Sequence, residues 1–436
     1  MSNGRLRQVK EGGIVMFRTR SVVLVLVLMV VVLFAGALPA LAQDKVKLTV
    51  WGRDLPDDDP AHQYIKQVVE GFQAANPDIE LDYVALGDPG LMDKVKVVMA
   101  SGSGMPDIFQ SWGGSVMGGY ADASRLLDLT EELAHIECSE AARGAMTWKG
   151  KVYGVAPFFA VAGIFLNEPV FEELGLKVPT TVDELEEVAD VLLANGIQPF
   201  ACGARDLWPT LALYMYLVDR YGGIDAFDKA RLREIRFDSE PFVLAAQKYQ
   251  DWVKREYFGE TPLSEAYGDA QVSMAIGLAA MHVTGSWMCA QYSDPEFTDQ
   301  TLGFYPFPMM PGGKGKISDI MGQTDIGFAA SITAADKVDA VVRFMEYAMS
   351  VEACSADPGR ICSVPGVAAP SRLTQMASEV FGSAEAIQFW WDQDLPPAVT
   401  TPLNTTIQSF FLPDTDVKQA LASYEDLVAA ALGPVE

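Results

Sequence analysis

Between Val46 and Gln110 the spacing of apolar residues switches repeatedly between two and roughly 3.6, and this alternation limits the folds open to the chain. Val46-Lys47-Leu48-Thr49-Val50-Trp51 alternates like a strand. Residues 61–75 put Ile65, Val68, Val69 and Phe72 on one helical face, and Asn76-Pro77 stops that helix. Ile79 to Val84 alternates again. Leu91 to Ala100 returns to helical spacing before Gly102-Ser103-Gly104, and Pro106-Asp107-Ile108-Phe109-Gln110 predicts a third strand. Strands separated by helices do not pair as hairpins; they form a parallel sheet with crossover helices on its faces.

A second region is expected after Pro157. Its clearest helix starts at a capping box, Thr181-x-x-Glu184, carries Val182, Leu185, Val188, Ala189 and Leu192 as an apolar stripe, and ends at Asn195-Gly196. Residues 208–300 read as mainly helical and Ile326 to Ile332 as a strand. Residues 335–350 read as an amphipathic helix with Val338, Val341, Val342, Met345 and Met349 inward. With 436 residues the chain has room for two or three domains, each with its own core. The architecture is α/β, with two lobes and a helix-rich tail.

Ahead of this lies an export signal. Arg18 and Arg20 precede an apolar run from Val22 to Phe34, and Ala40-Leu41-Ala42 is a small-x-small site that predicts cleavage before Gln43. The competing reading is a retained membrane anchor over Val22–Leu38; Pro39 and the alanine-rich end favour the peptidase. Lys10-Glu11-Gly12-Gly13 resembles a translated ribosome-binding stretch, so synthesis is expected to begin at Met16.

The chain holds 32 Lys and Arg against 58 Asp and Glu, a formal charge of −26. Removing residues 1–42 takes away five basic residues and one acid, which lowers it to −30. Nucleic-acid binding needs a basic surface this balance does not supply. Among the five cysteines, Cys354 and Cys362 flank the turn Asp357-Pro358-Gly359 and are expected to pair outside the cytoplasm; Cys138, Cys202 and Cys289 read as buried thiols.

Catalytic signatures are missing. The three histidines (62, 135 and 282) are scattered, Gly113-Gly114-Ser115-Val116-Met117 lacks the second glycine of a nucleophile elbow, and Gly312, Gly313 and Gly315 fit no phosphate loop. Asp57-Asp58-Asp59 runs into Pro60 and reads as a solvated loop, not a calcium site. An Asp/Glu pair of the glycosidase kind has no fixed spacing, so a secreted carbohydrate-active hydrolase stays open as an alternative.

What the sequence does offer is tryptophan. Trp51 and Trp112 end the first and third predicted strands, Trp208 follows Arg205-Asp206-Leu207, Trp287 closes Gly285-Ser286-Trp287, and Trp390-Trp391-Asp392 lies near the tail. A sugar presents a C–H face that packs on an aromatic ring and a rim of hydroxyls that needs planar donors and acceptors. In open α/β sheets ligands sit beyond the carboxyl ends of strands, where Trp51, Arg53, Asp54 and Trp112 fall.

In order, Phe72-x-x-x-Asn76-Pro77, Ala100-Ser101-Gly102 leading to Pro106-Asp107-Ile108, Gly118-Gly119-Tyr120, Leu127-Asp128-Leu129-Thr130 and Gly150-Lys151-Val152-Tyr153-Gly154 recur along the chain. Leu166-Asn167, Pro179-Thr180-Thr181, Gly277-Leu278-Ala279-Ala280-Met281 and Gly285-Ser286-Trp287 follow. Together they resemble the extracellular solute-binding proteins of ABC importers, in the class of maltose-binding protein. The resemblance implies a two-lobed periplasmic-binding-protein-like fold (type II) with crossing hinge segments. Lobe one would be 43–156 plus 326–375, and lobe two 157–325 plus 376–436.

It also implies a monomer, without cofactor or metal, that traps a carbohydrate between its lobes outside the cytoplasm and hands it to the membrane subunits of a permease. By position its ligand contacts fall on Arg53, Asp54, Trp112, Phe158, Phe159 and Trp287. The tryptophans and polar residues of the chain itself add Trp51, Asp206, Trp208, Gln323, Asp325 and one of the Trp390–Trp391 pair, Trp390. Two departures stand out: Leu166-Asn167 replaces the usual Tyr-Asn, and Phe158-Phe159 stands where maltose-binding protein has an acid, so maltodextrin specificity does not transfer. Polyamines and peptides remain alternative ligands for so acidic a chain.

Overall fold

The computed structural model describes residues 45–54, 60–87, 90–357, 359–369 and 371–435. The expected export segment 1–42 with its cleavage site, the Met16 start and the Asp57-Asp58-Asp59 loop lie outside the described residues.

The alternating segment folds as its periods require. Strand β1 (Val46–Arg53), helix α1 (Pro60–Ala75), strand β2 (Ile79–Leu86), helix α2 (Gly90–Ser101) and strand β3 (Ile108–Gln110) follow in order, and helix α3 (Gly114–Asp122) leaves the end of β3. β1 lies between β2 and β3 and runs parallel to β3, Val50 opposite Ile108. Helix α1 buries Tyr64, Val68 and Phe72 on one face of this sheet, and α2 buries Leu91, Val95 and Met99 on the other.

Strand β4 (Gly154–Asn167) opens the second half. Helix α4 (Val182–Ala194) begins at the expected capping box: the Glu184 amide donates to Thr181 Oγ1 at 3.2 Å, and the Thr181 amide donates to Glu184 Oε2 at 3.2 Å. Strand β5 (Gln198–Ala201), helices α5 (Pro209–Gly222), α6 (Ala226–Arg231) and α7 (Tyr267–Ala275), and strands β6 (Ala279–Gly285) and β7 (Leu302–Tyr305) continue it. The long strand β8 (Asp319–Ala330) leads to helix α8 (Val338–Ala348), the short strand β9 (Ile361–Cys362), helix α9 (Arg372–Gly382) and strand β10 (Ala386–Phe389). The tail is α10 (Trp391–Asp394), α11 (Pro397–Ser409) and α12 (Val417–Leu432).

Ten strands share one sheet of order β2-β1-β3-β8-β4-β6-β5, with β7 and β9 also on β4 and β10 on β8. The two lobes arise because different cores cover its two ends. Around β1 and β3 the cores hold Val50, Phe72 and Phe344 on one face and Val95, Phe109 and Met117 on the other. Around β6 and β5 they hold Leu185, Met215, Trp252 and Trp391 on one face and Phe165, Met274 and Phe304 on the other. Strands β4 and β8 belong to both ends. Antiparallel to each other, they pair Ala329 with Gly154 near β3 and Gly322 with Val161 farther along.

The boundary expected at Pro157 falls inside a strand that both lobes share, not in a linker. Pro157 lies inside β4, whose fourteen residues are all buried. A proline lacks the N–H that a central strand spends on its neighbour, and here it sits where the pairing with β8 shifts register, between Val155 opposite Phe328 and Phe158 opposite Ile326. Its carbonyl still accepts from the Ser363 amide at 2.8 Å. The strand expected from Ile326 starts earlier, at Asp319.

Candidate functional site

The carboxyl ends of β1 and β3 place the first wall of the site. The Arg53 amide donates to Gln110 Oε1 at 3.1 Å, the Tyr83 hydroxyl donates to the Arg53 carbonyl at 3.3 Å, and the Asp54 amide donates to the Leu86 carbonyl at 2.8 Å. Three neighbouring strands thus fix the backbone from which Arg53 projects. Its guanidinium lies 5.9 Å from the centre of the Trp112 ring and 3.8 Å from Asp325 Oδ1 on β8. The other Asp325 oxygen accepts from Arg360, which also donates to Asp357 at 2.6 Å. Burial pushes the Asp357 carboxyl up, and the Arg360 charge opposes that shift.

The second wall is aromatic. Trp208 follows a short turn before α5, Tyr267 opens α7, Trp287 leaves β6 and Trp390 precedes α10. Their rings form a continuous run: Trp208 to Tyr267 at 4.5 Å, Trp208 to Trp287 at 5.9 Å and Trp287 to Trp390 at 5.4 Å. Trp287 Nε1 donates to the Tyr267 hydroxyl at 2.7 Å, which also bonds Thr284 Oγ1 at 2.9 Å. Gly285 is needed beneath this run, since a Cβ there would meet the Trp287 ring at 2.1 Å. Burial raises the Tyr267 phenol, and the Asp325 charge adds to that, so the aromatic wall and the ion pairs stand within electrostatic reach.

Between the walls lie polar atoms with unspent hydrogen-bonding capacity. Gln110 Nε2, Thr324 Oγ1, Asp392 Oδ1 and Gln393 Oε1 are buried without a hydrogen-bond partner among the described residues. Gln393 Nε2 donates to Gln323 Oε1 at 2.7 Å, which ties α10 to the crossing strand β8. Burial pushes the Asp392 carboxyl up to about 6, and Lys96 on α2 of the opposite lobe acts against it. The Ser115 hydroxyl donates to the Asp394 carbonyl, a bond from one lobe to the other. Beyond that bond lies a cavity of about 760 Å³, walled by Met99, Val116 and Tyr120 from the first lobe and Leu232, Pro396 and Leu432 from the second. No indole lines it.

The residues expected to touch ligand divide accordingly. Arg53, Trp112, Trp208, Trp287 and Gln323 come together around the crossing strands, with Asp54 exposed beside Arg53. Asp206, also exposed, accepts from the Tyr267 amide at 2.8 Å and serves the aromatic wall from behind. Five expectations are corrected. Trp390, 2% exposed, is packed in the second lobe's core. Phe158 is fully buried against Tyr64 at 4.9 Å and Phe159 against Phe381 at 5.7 Å, because successive residues of a strand covered on both sides enter opposite cores. Trp51 faces α2, with Lys94 4.1 Å from its ring centre, and is buried in the core. Asp325 is held between two guanidiniums and is not free to bond hydroxyls.

Trp391 is core, stacked on Phe227 at 4.6 Å. Gln110, Tyr267, Arg360, Asp392 and Gln393 were missed; of these only Gln110, a polar residue ending an apolar strand, and Asp392, next to the tryptophan pair, carried a local signal. Cys354 and Cys362 are free thiols whose side chains touch, so the expected bridge is not formed in this structure.

A two-lobed α/β molecule whose lobes are crossed by the adjacent strands β4 and β8, with a groove furnished with rings and unspent polar atoms beside them, has the architecture of a binding protein of the periplasmic type. Residues 58–353, more than half the chain, match the bacterial extracellular solute-binding protein family, and the chain belongs to that family. It is 26% identical over 326 residues to the multiple sugar-binding protein of Streptococcus mutans, covering 70% of this chain and 72% of that one. Among solved structures, a chitin oligosaccharide binding protein superposes with TM-score 0.81 at 25% identity, over 89% of this chain and 99% of the other. A solute-binding protein in complex with raffinose does so with TM-score 0.72 at 20% identity, over 88% and 98%. No helix among the described residues is long and apolar enough to cross a membrane.

Proposed function

We propose that the protein is the exported, ligand-capturing component of an ABC importer and that its ligand is a carbohydrate. Export would follow cleavage after Ala42, the captured sugar would pass to membrane permease subunits, and the unit at work would be one chain. The two lobes would be 43–156 with 326–375 and 157–325 with 376–436. The observation that carries this is the pairing of the ring run Trp208–Tyr267–Trp287–Trp390 with four buried, unpartnered polar atoms at the same crossing. Rings match the C–H faces of a sugar and the polar atoms match its hydroxyls. The sugar-related names of the relatives point the same way.

Ligand would lie on Trp208 and Trp287, with Trp390 backing Trp287 from the core and Arg53 and Trp112 closing from the other lobe. Closure is favoured because only the closed state lets both walls touch one molecule. A thermal-shift panel of monosaccharides and oligosaccharides tests the proposal: a ligand that binds only the native state raises the melting temperature, and it should be recovered chemically intact. A polyamine or peptide hit without any sugar hit, or turnover of the sugar, would overturn it.

A further inference from the structure

We propose that the groove accepts an amphiphilic ligand: a glycoside whose sugar sits at the ring run and whose alkyl or aryl substituent enters the cavity beyond the Ser115–Asp394 bond. This rests on the carbohydrate reading above and adds the chemistry of the ligand's other end.

The two compartments differ in what they leave unsatisfied. At the crossing, Gln110, Thr324, Asp392 and Gln393 each hold a buried polar atom without a partner. In the cavity beyond, no residue of the wall does. The two arginines at its edge are already engaged, Arg231 with Asp228 at 2.9 Å and Asp394 at 3.2 Å and Arg233 with Glu425 and with the Gly433 carbonyl at 2.8 Å, while Lys96 stands at the solvent side, 3.9 Å from Asp93. A second sugar ring there would surrender water from its hydroxyls with little offered in return. An apolar group has nothing to surrender and removes the surface of Met99, Val116, Tyr120, Leu232, Pro396 and Leu432 from water. Leu232 is 59% exposed, a large apolar side chain whose cover would come from such a group.

Size and position agree. At about 760 Å³ the cavity is ample for an octyl chain or an aromatic ring. Helix α10 joins it to the polar half: Gln393 reaches Gln323 at the crossing, while the next residue, Asp394, meets Arg231 and Ser115 at the cavity. Because both lobes supply the wall, the substituent is fully covered only when they are together, so it would favour closure as the sugar does.

The test takes a sugar that binds in the panel and compares, by calorimetry, its methyl glycoside with its octyl and phenyl glycosides, all below their micelle-forming concentrations. The octyl glycoside should bind at least about tenfold tighter than the methyl, with a more negative heat-capacity change. Leu232→Asp and Val116→Asp should abolish that gain while leaving the affinity for the methyl glycoside and the melting temperature unchanged. Equal affinities for methyl and octyl glycosides, or a larger gain from adding a sugar ring than from the octyl chain, would overturn this inference alone. Failure of every sugar and glycoside to bind would overturn the carbohydrate reading as well.

Discussion

Arg53 and Trp287 face the same groove but are held there by different means. Arg53 stands on three strands whose backbones bond to one another, and its guanidinium is steered by a buried chain of charges, Asp325–Arg360–Asp357. Trp287 stands on ring packing and one hydrogen bond to Tyr267. The first wall is therefore rigid and directional, suited to orienting hydroxyls. The second offers a broad face that tolerates sliding. One wall would set which ligand is accepted, the other how tightly it is held.

Four substitutions break or sharpen this contrast, and the largest effect is expected on the charged wall. Asp325→Ala leaves Arg53 and Arg360 buried without the carboxylate between them and should cost about 3 kcal/mol of stability. Denaturant unfolding checks this; an unchanged midpoint would mean that the strand backbones alone hold Arg53. Next, Trp287→Ala should weaken sugar binding by about 2 kcal/mol, roughly thirtyfold, and Trp112→Ala by about 1 kcal/mol, roughly fivefold. If calorimetry returned the reverse order, the assignment of holding and orienting roles would be inverted.

The smallest effect concerns Asp392. Its carboxyl, pushed up to about 6 by burial, is neutral below that pH and charged above it. As an anion it accepts a ligand hydroxyl more strongly, so affinity should climb a few-fold between pH 5 and 7. Asp392→Asn should flatten the profile. Stability runs the other way through this group: its folded pKa exceeds the unfolded one, so its contribution is present at acid pH and is lost as pH rises towards 6.

The first lobe was legible because its strands and helices each keep one face towards solvent or a neighbour, so their periods show in the sequence. The crossing strands were not. Every residue of β4 and β8 is buried, which erases the alternation that marks a strand, and Pro157 then read as a boundary. The tryptophans were visible, but their destinations were not: Trp51 lies inside β1 and enters the core under α2, whereas Trp112 lies beyond the end of β3 and only packs against the edge of that core. Asp392 and Gln393 gain their meaning from a lobe-to-lobe approach that no local spacing encodes.

Pro157 has one more consequence. Where β4 and β8 lose register, the ladder between them is already interrupted, so twisting there breaks few bonds that were made. With β4 and β8 side by side and the chain crossing a third time past β9, the lobes share one hinge region. An empty and a filled molecule would then differ chiefly in the angle between the lobes.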